Sequence, residues 1–118
     1  MSHTILIVDD EANQRMLYAS TFRDEGYEVL EASDGIEAIE KVRTRSPDLV
    51  VLDISMPGMD GIETLGKILS RESKIPVVIN TAYGRYKDNF MSWSADAYVV
   101  KSADLTELKR SVHELLDA

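Results

Sequence analysis

No cysteine occurs in the 118 residues, which excludes disulfides, thiol chemistry and cysteine-based zinc sites and suits a reducing cytoplasm. Positive charge is scarce: 13 Lys and Arg stand against 21 Asp and Glu, a formal net charge of −8 at pH 7. That excess repels phosphate backbones and anionic lipid surfaces, so nucleic acid and membranes are poor partners. No apolar run approaches the roughly 20 residues that cross a bilayer. The opening Met1-Ser2-His3-Thr4 lacks the basic and apolar segments of a signal peptide. Repeats, linkers and low-complexity stretches are missing too. What is there reads as one domain over residues 1–118, whose 44% hydrophobic residues can build a core without metal or disulfide staples.

Apolar runs alternate with helix-periodic segments along the whole chain. Ile5-Leu6-Ile7-Val8 stops at Asp9-Asp10-Glu11, and Leu49-Val50-Val51-Leu52 stops at Asp53. Val77-Val78-Ile79 ends in Asn80-Thr81, and Tyr98-Val99-Val100 ends at Lys101. A weaker run from Glu28 to Ala32 has the polar interruptions of an edge strand. Runs apolar on both faces predict a parallel sheet covered on both sides by helices. Ile36, Ile39 and Val42 share one helical face, as do Ile62, Leu65, Ile68 and Leu69, and then Leu105, Leu108, Val112, Leu115 and Leu116. Gly26 stops the first helix, Asp34-Gly35 opens the second, and Asp104 with Glu107 forms a capping box on the last. Five strands and five helices in alternation, joined by right-handed crossovers, predict an α/β doubly wound sheet.

Such sheets bind ligands beyond the carboxyl ends of their strands, where the strand order reverses. The residues found there are Asp9, Asp10, Asp53, Thr81 and Lys101. Each alone has an ordinary explanation: a helix cap, a turn former, a strand residue, a solvated charge. Together they make coherent chemistry. Three carboxylates in one pocket repel one another unless a divalent cation joins them, and hard oxygen ligands favour Mg²⁺. One carboxylate can then attack phosphorus, while a hydroxyl and an ammonium hold the transferred oxygens. A flavin or dinucleotide site would need a Gly- or hydroxyl-rich loop after the first strand, where Asp9-Asp10-Glu11 stands. The Asp-x-Asp of a small aspartate-based phosphohydrolase is also missing there.

Over essentially its whole length the chain resembles the receiver domain of bacterial response regulators. The resemblance rests on Ile5-Leu6-Ile7-Val8-Asp9-Asp10, Pro47-Asp48-Leu49-Val50-Val51-Leu52-Asp53, Met56-Pro57-Gly58-Met59-Asp60-Gly61, Thr81-Ala82-Tyr83-Gly84 and Tyr98-Val99-Val100-Lys101. It implies a flavodoxin-like (βα)5 fold with strand order 2-1-3-4-5 and helices on both faces. It further implies that Asp53 accepts a phosphoryl group from a histidine kinase or phosphotransfer protein. Asp10 and Asp53 would bind Mg²⁺ directly, Asp9 through water, and Ser55 through its carbonyl. Thr81 would bond a phosphoryl oxygen and Lys101 would pair with its charge. Thr81 and Tyr98 would carry the switch, altering the face made by the fourth helix, fifth strand and fifth helix toward a downstream protein or output domain. The protein would then be no enzyme in the usual sense, but a phosphoacceptor that assists its own phosphorylation and dephosphorylation.

Several positions depart from the family or vary within it. Ser102 replaces the usual proline after the lysine, and a cis bond there would cost about 3–4 kcal/mol, so a trans Lys101–Ser102 bond and a rearranged loop are expected. Ser102 also keeps open a receiver-like interaction module that acts without phosphorylation. Ser94 stands where the family favours glycine after the fourth helix. Ser55 and Tyr83 flank the approach of water and offer nothing to orient it, which predicts a long-lived phosphoryl group. Tyr83, Tyr86, Phe90 and Trp93, with Met91 beside them, either pack inward or form a docking patch. His3 and His113 lack companions at ligand spacing and are read as surface residues without a role. The end at Leu115-Leu116-Asp117-Ala118 suits a stand-alone protein or a receiver taken from a longer one.

Overall fold

Side chains alternate sides along an extended strand, so a run apolar at every position needs cover on both faces. The computed structural model, which describes residues 3–54, 63–64, 66–68, 75–82, 84 and 95–117, shows that arrangement. β1 (Thr4–Val8), β2 (Glu28–Ala32), β3 (Leu49–Leu52), β4 (Val77–Thr81) and β5 (Ala97–Val100) form one parallel sheet in the order β2-β1-β3-β4-β5. Leu6, Val8, Val50, Leu52, Val77 and Ile79 enter one core, while Ile5, Ile7, Leu49, Val51, Val78 and Val99 enter the other. Helix α2 (Gly35–Arg45) closes the first core with Ala38 and Val42. Helices α1 (Ala12–Asp24) and α3 (Thr106–Leu116) close the second with Tyr18, Phe22, Leu108 and Val112. The expected order 2-1-3-4-5 and the edge position of β2 are both observed.

Helix ends follow local chemistry. Gly26 has φ +95°, a backbone that side-chain-bearing residues rarely adopt, and it ends α1 as expected. The N–H of Tyr27 reaches the Phe22 carbonyl at 3.1 Å and that of Gly26 the Arg23 carbonyl at 3.0 Å. The Phe22 and Tyr27 rings then meet edge to face with centroids 6.0 Å apart, the apolar contact that completes this type of stop. Asp34 opens α2, its Oδ1 accepting from the Glu37 N–H at 2.8 Å, while Glu37 Oε1 accepts from the Ser33 N–H at 3.0 Å.

Two expectations need correction. Ile36 does not join Ile39 and Val42 on the inner face of α2; it is 68% exposed. The small Gly35 and Ala38 turn inward instead and let the helix approach the sheet, leaving Ile36 outside. Nor does Glu107 close a capping box on α3. Asp104 Oδ1 bonds both the N–H and the hydroxyl of Thr106, at 2.9 and 2.6 Å, so this aspartate turns the chain locally just ahead of the helix. The third expected helix appears as helical residues 63–64 and 66–68, with Ile68 fully buried. Ile62, Leu65, Leu69, Tyr83, Tyr86, Phe90, Met91, Trp93 and Ser94 lie outside the described residues.

At the amino end of the sheet two aspartates act alike. Asp48, one residue before β3, accepts the Thr4 N–H on Oδ2 and donates its own N–H to the Thr4 carbonyl, both at 2.7 Å. Asp96, one residue before β5, does the same with Val77, both at 2.8 Å. Each fastens the first residue of the neighbouring strand and satisfies an N–H that the ladder leaves over.

Candidate functional site

The register sets the opposite end. Val8 lies across from Leu52, so Asp9 and Asp53 leave the sheet side by side, and the Asp53 N–H bonds the Val8 carbonyl at 3.0 Å. Thr81 pairs with Val100, which brings Lys101 next, its N–H 2.6 Å from the Thr81 carbonyl. Carboxylate oxygens of Asp9, Asp10 and Asp53 lie within 4.8 Å of one another. Asp9 and Asp53 are buried, at 1% and 5% exposure, and Asp10 is exposed.

Between the buried pair sits one ammonium. Lys101 Nζ donates to Asp9 Oδ2 at 2.8 Å and to Asp53 Oδ2 at 3.0 Å, and also to the Gln14 side-chain carbonyl. Burial alone would lower the Lys101 pKa, but the hydrogen bonds to Asp9 and Asp53 and their charges outweigh it and raise it above the ordinary lysine value. The other Asp9 oxygen accepts the Glu11 N–H at 2.9 Å. Glu11 itself is the N-cap of α1, accepting from the Asn13 N–H at 3.3 Å. The helix cap weighed for the Asp9-Asp10 pair falls instead to Glu11, while Asp9 and Asp10 belong to the cluster. Arg15 steadies this turn from outside, donating to the Asp9 carbonyl at 2.8 Å and to Glu31 at 3.3 Å.

Of the expected site residues, Asp9, Asp10, Asp53 and Lys101 are thus brought together. Thr81 is fully buried at the end of β4. Tyr98 is also buried, so its side chain already lies in the core on the face of the sheet that α2 covers. Ser55 lies outside the described residues. All peptide bonds of the described residues are trans, Lys101–Ser102 included. Gln14 and Arg15 were missed, because nothing in a helix's first turn announces which strand end it will face. Each histidine faces a single carboxylate, His3 with Asp48 at 3.9 Å and His113 with Glu25 at 3.4 Å, so neither gathers a ligand set.

A parallel five-stranded sheet with an acidic cluster and a lysine at its carboxyl rim defines a class, and the comparisons agree. The chain matches the response regulator receiver domain over residues 5–113 and belongs to that family. It is 37% identical over 118 residues to sporulation initiation phosphotransferase F of Bacillus subtilis, covering 98% of this chain and 95% of that protein. Regulatory protein AtoC of Escherichia coli is 39% identical over 114 residues, 95% of this chain but only 25% of AtoC. Among solved structures, response regulator TrrA of Thermotoga maritima in complex with Mg²⁺ and BeF superposes with a TM-score of 0.91 at 43% identity, covering 98% of this chain and 99% of that one. TrrA has also been solved in complex with the histidine kinase ThkA. Among the described residues no helix is long and apolar enough to cross a membrane.

Proposed function

We propose that the chain is a phosphorylation-dependent signalling switch of the cytoplasm, in which Asp53 accepts a phosphoryl group from a histidine kinase or phosphotransfer protein. The observation that carries this reading is the Lys101 ammonium held between Asp9 and Asp53 inside a three-carboxylate cluster. A carboxylate oxygen of Asp53 attacks phosphorus, the bond from phosphorus to the donor's imidazole nitrogen breaks, and its electron pair stays on that nitrogen. Lys101 keeps its hold on Asp9 and turns toward the incoming phosphoryl oxygens. Thr81, at the end of the next strand, supplies a hydroxyl to the same group. Tyr98 and Thr81 pass the change to the face around β5, where a downstream protein or output domain reads it.

The donor set suits a divalent cation. Three carboxylates against one ammonium leave a surplus of negative charge, and all the ligand atoms are hard oxygens. Asp10 and Asp53 would hold Mg²⁺ directly and the Ser55 carbonyl would complete the protein ligands. Asp9, both of whose oxygens are already engaged, would act through water. When bound, the ion neutralises charge on the phosphoryl oxygens. The TrrA complexes with Mg²⁺ and BeF and with a kinase support both halves of the reading. A net charge of −8 favours protein partners over nucleic acid or membranes.

Intact mass after incubation with acetyl phosphate and Mg²⁺ tests this, beside an Asp53→Asn variant and a metal-free sample. One added phosphoryl group, missing from both controls, is the expected result. No addition from acetyl phosphate or from a histidine kinase would overturn it in favour of a receiver-like module that works without phosphorylation.

A further inference from the structure

An ammonium has three N–H donors, and in Lys101 each has its own acceptor: Asp9 Oδ2, Asp53 Oδ2 and the side-chain carbonyl of Gln14. Two of these acceptors belong to the acidic cluster. The third does not. Gln14 lies in the first turn of α1, whose cap is Glu11 and whose packing comes from Tyr18, Ala19 and Phe22, so the helix does not need this amide for either purpose. We infer that Gln14 is a positioning residue for phosphoryl transfer, a neutral arm that holds the Lys101 ammonium in place while it exchanges Asp53 for a phosphoryl oxygen.

The inference rests on the phosphoacceptor reading above and adds a part to it. When Lys101 releases Asp53 Oδ2, two anchors remain, and an ammonium fixed at two points pivots rather than swinging into solvent. One anchor would leave a flexible four-carbon stem free to do so. The chemistry of the third acceptor also matters. An amide carbonyl satisfies the third N–H without adding a fourth negative charge to a site that must admit an anionic donor. A carboxylate at the same place would hold the lysine but repel the incoming phosphoryl group.

The test is a double-mutant cycle read as the rate of phosphoryl uptake from acetyl phosphate at saturating Mg²⁺, by intact mass. With Lys101 present, Gln14→Leu should slow uptake about 10-fold. Gln14→Asn, one methylene too short to reach, should slow it to a similar extent. In a Lys101→Met background the same Gln14→Leu change should alter the remaining rate by less than about 2-fold. Equal losses in both backgrounds would make Gln14 merely structural and overturn the inference, as would an unchanged rate with Lys101 present or full rescue by Asn. No uptake by the unaltered protein would overturn the phosphoacceptor reading together with this one. Normal uptake without coupling would overturn this one alone.

Discussion

At the amino end of the sheet, Asp48 and Asp96 stand apart, each closing a two-bond ring with the first residue of a neighbouring strand. At the carboxyl end, Asp9, Asp10 and Asp53 crowd within 4.8 Å around one ammonium. Residue type and sheet are the same, yet the energetics are opposite. A separated carboxylate meets a backbone dipole and contributes net stability, on the order of 1 kcal/mol. A crowded set contributes mutual repulsion, held down by whatever cation lies among it. Stability is placed at one end and charge is concentrated at the other, and the comparison can be broken at single positions.

The largest effect belongs to the ammonium. Lys101→Met removes the ammonium from between two buried carboxylates and should lower unfolding stability in urea by about 3 kcal/mol, part of which Mg²⁺ restores. Asp96→Ala orphans the N–H of fully buried Val77 and should cost about 1–2 kcal/mol while phosphoryl uptake stays at the unaltered rate. Asp10→Ala should go the other way, gaining up to about 1 kcal/mol by relieving repulsion. In that variant Mg²⁺ should no longer raise the unfolding midpoint, as it should in the unaltered protein. The smallest effect concerns Asp104, an exposed carboxylate outside both groups. Its hydrogen bonds to the Thr106 hydroxyl and then the Thr106 N–H lower its pKa below 3.8. A depressed carboxylate pKa stabilises the fold above its unfolded value and loses that contribution as pH falls through the folded value. The stability gap between the unaltered protein and Asp104→Ala should therefore close below pH 3.8. A gap that stayed constant through acid would remove the carboxylate from that role.

Much of this was legible beforehand because strands apolar at every position admit few arrangements. The runs ending at Val8, Leu52, Thr81 and Val100 place their successors on one rim, so Asp9, Asp53 and Lys101 could be read from strand ends alone. What escaped depends on neighbours that spacing cannot name. Ile36 fits an apolar stripe, but close helix–sheet approach favours Gly35 and Ala38 on the inner face. Asp104 and Glu107 have capping-box spacing, yet Thr106 offers the aspartate a nearer hydroxyl and N–H. Gln14, Asp48 and Asp96 gain their partners only through register, 87, 44 and 19 residues away.

The bond from Lys101 to Asp9 joins positions 92 residues apart, and that to Asp53 spans 48. Parallel strands need long crossover connections, and contacts of this range close large loops, which slows folding. A chain emerging from the ribosome carries its aspartates long before it carries their lysine. Until β5 docks, the cluster lacks the ammonium that holds it. On the reading proposed above, the site that receives the signal exists only once β5 has been made and docked.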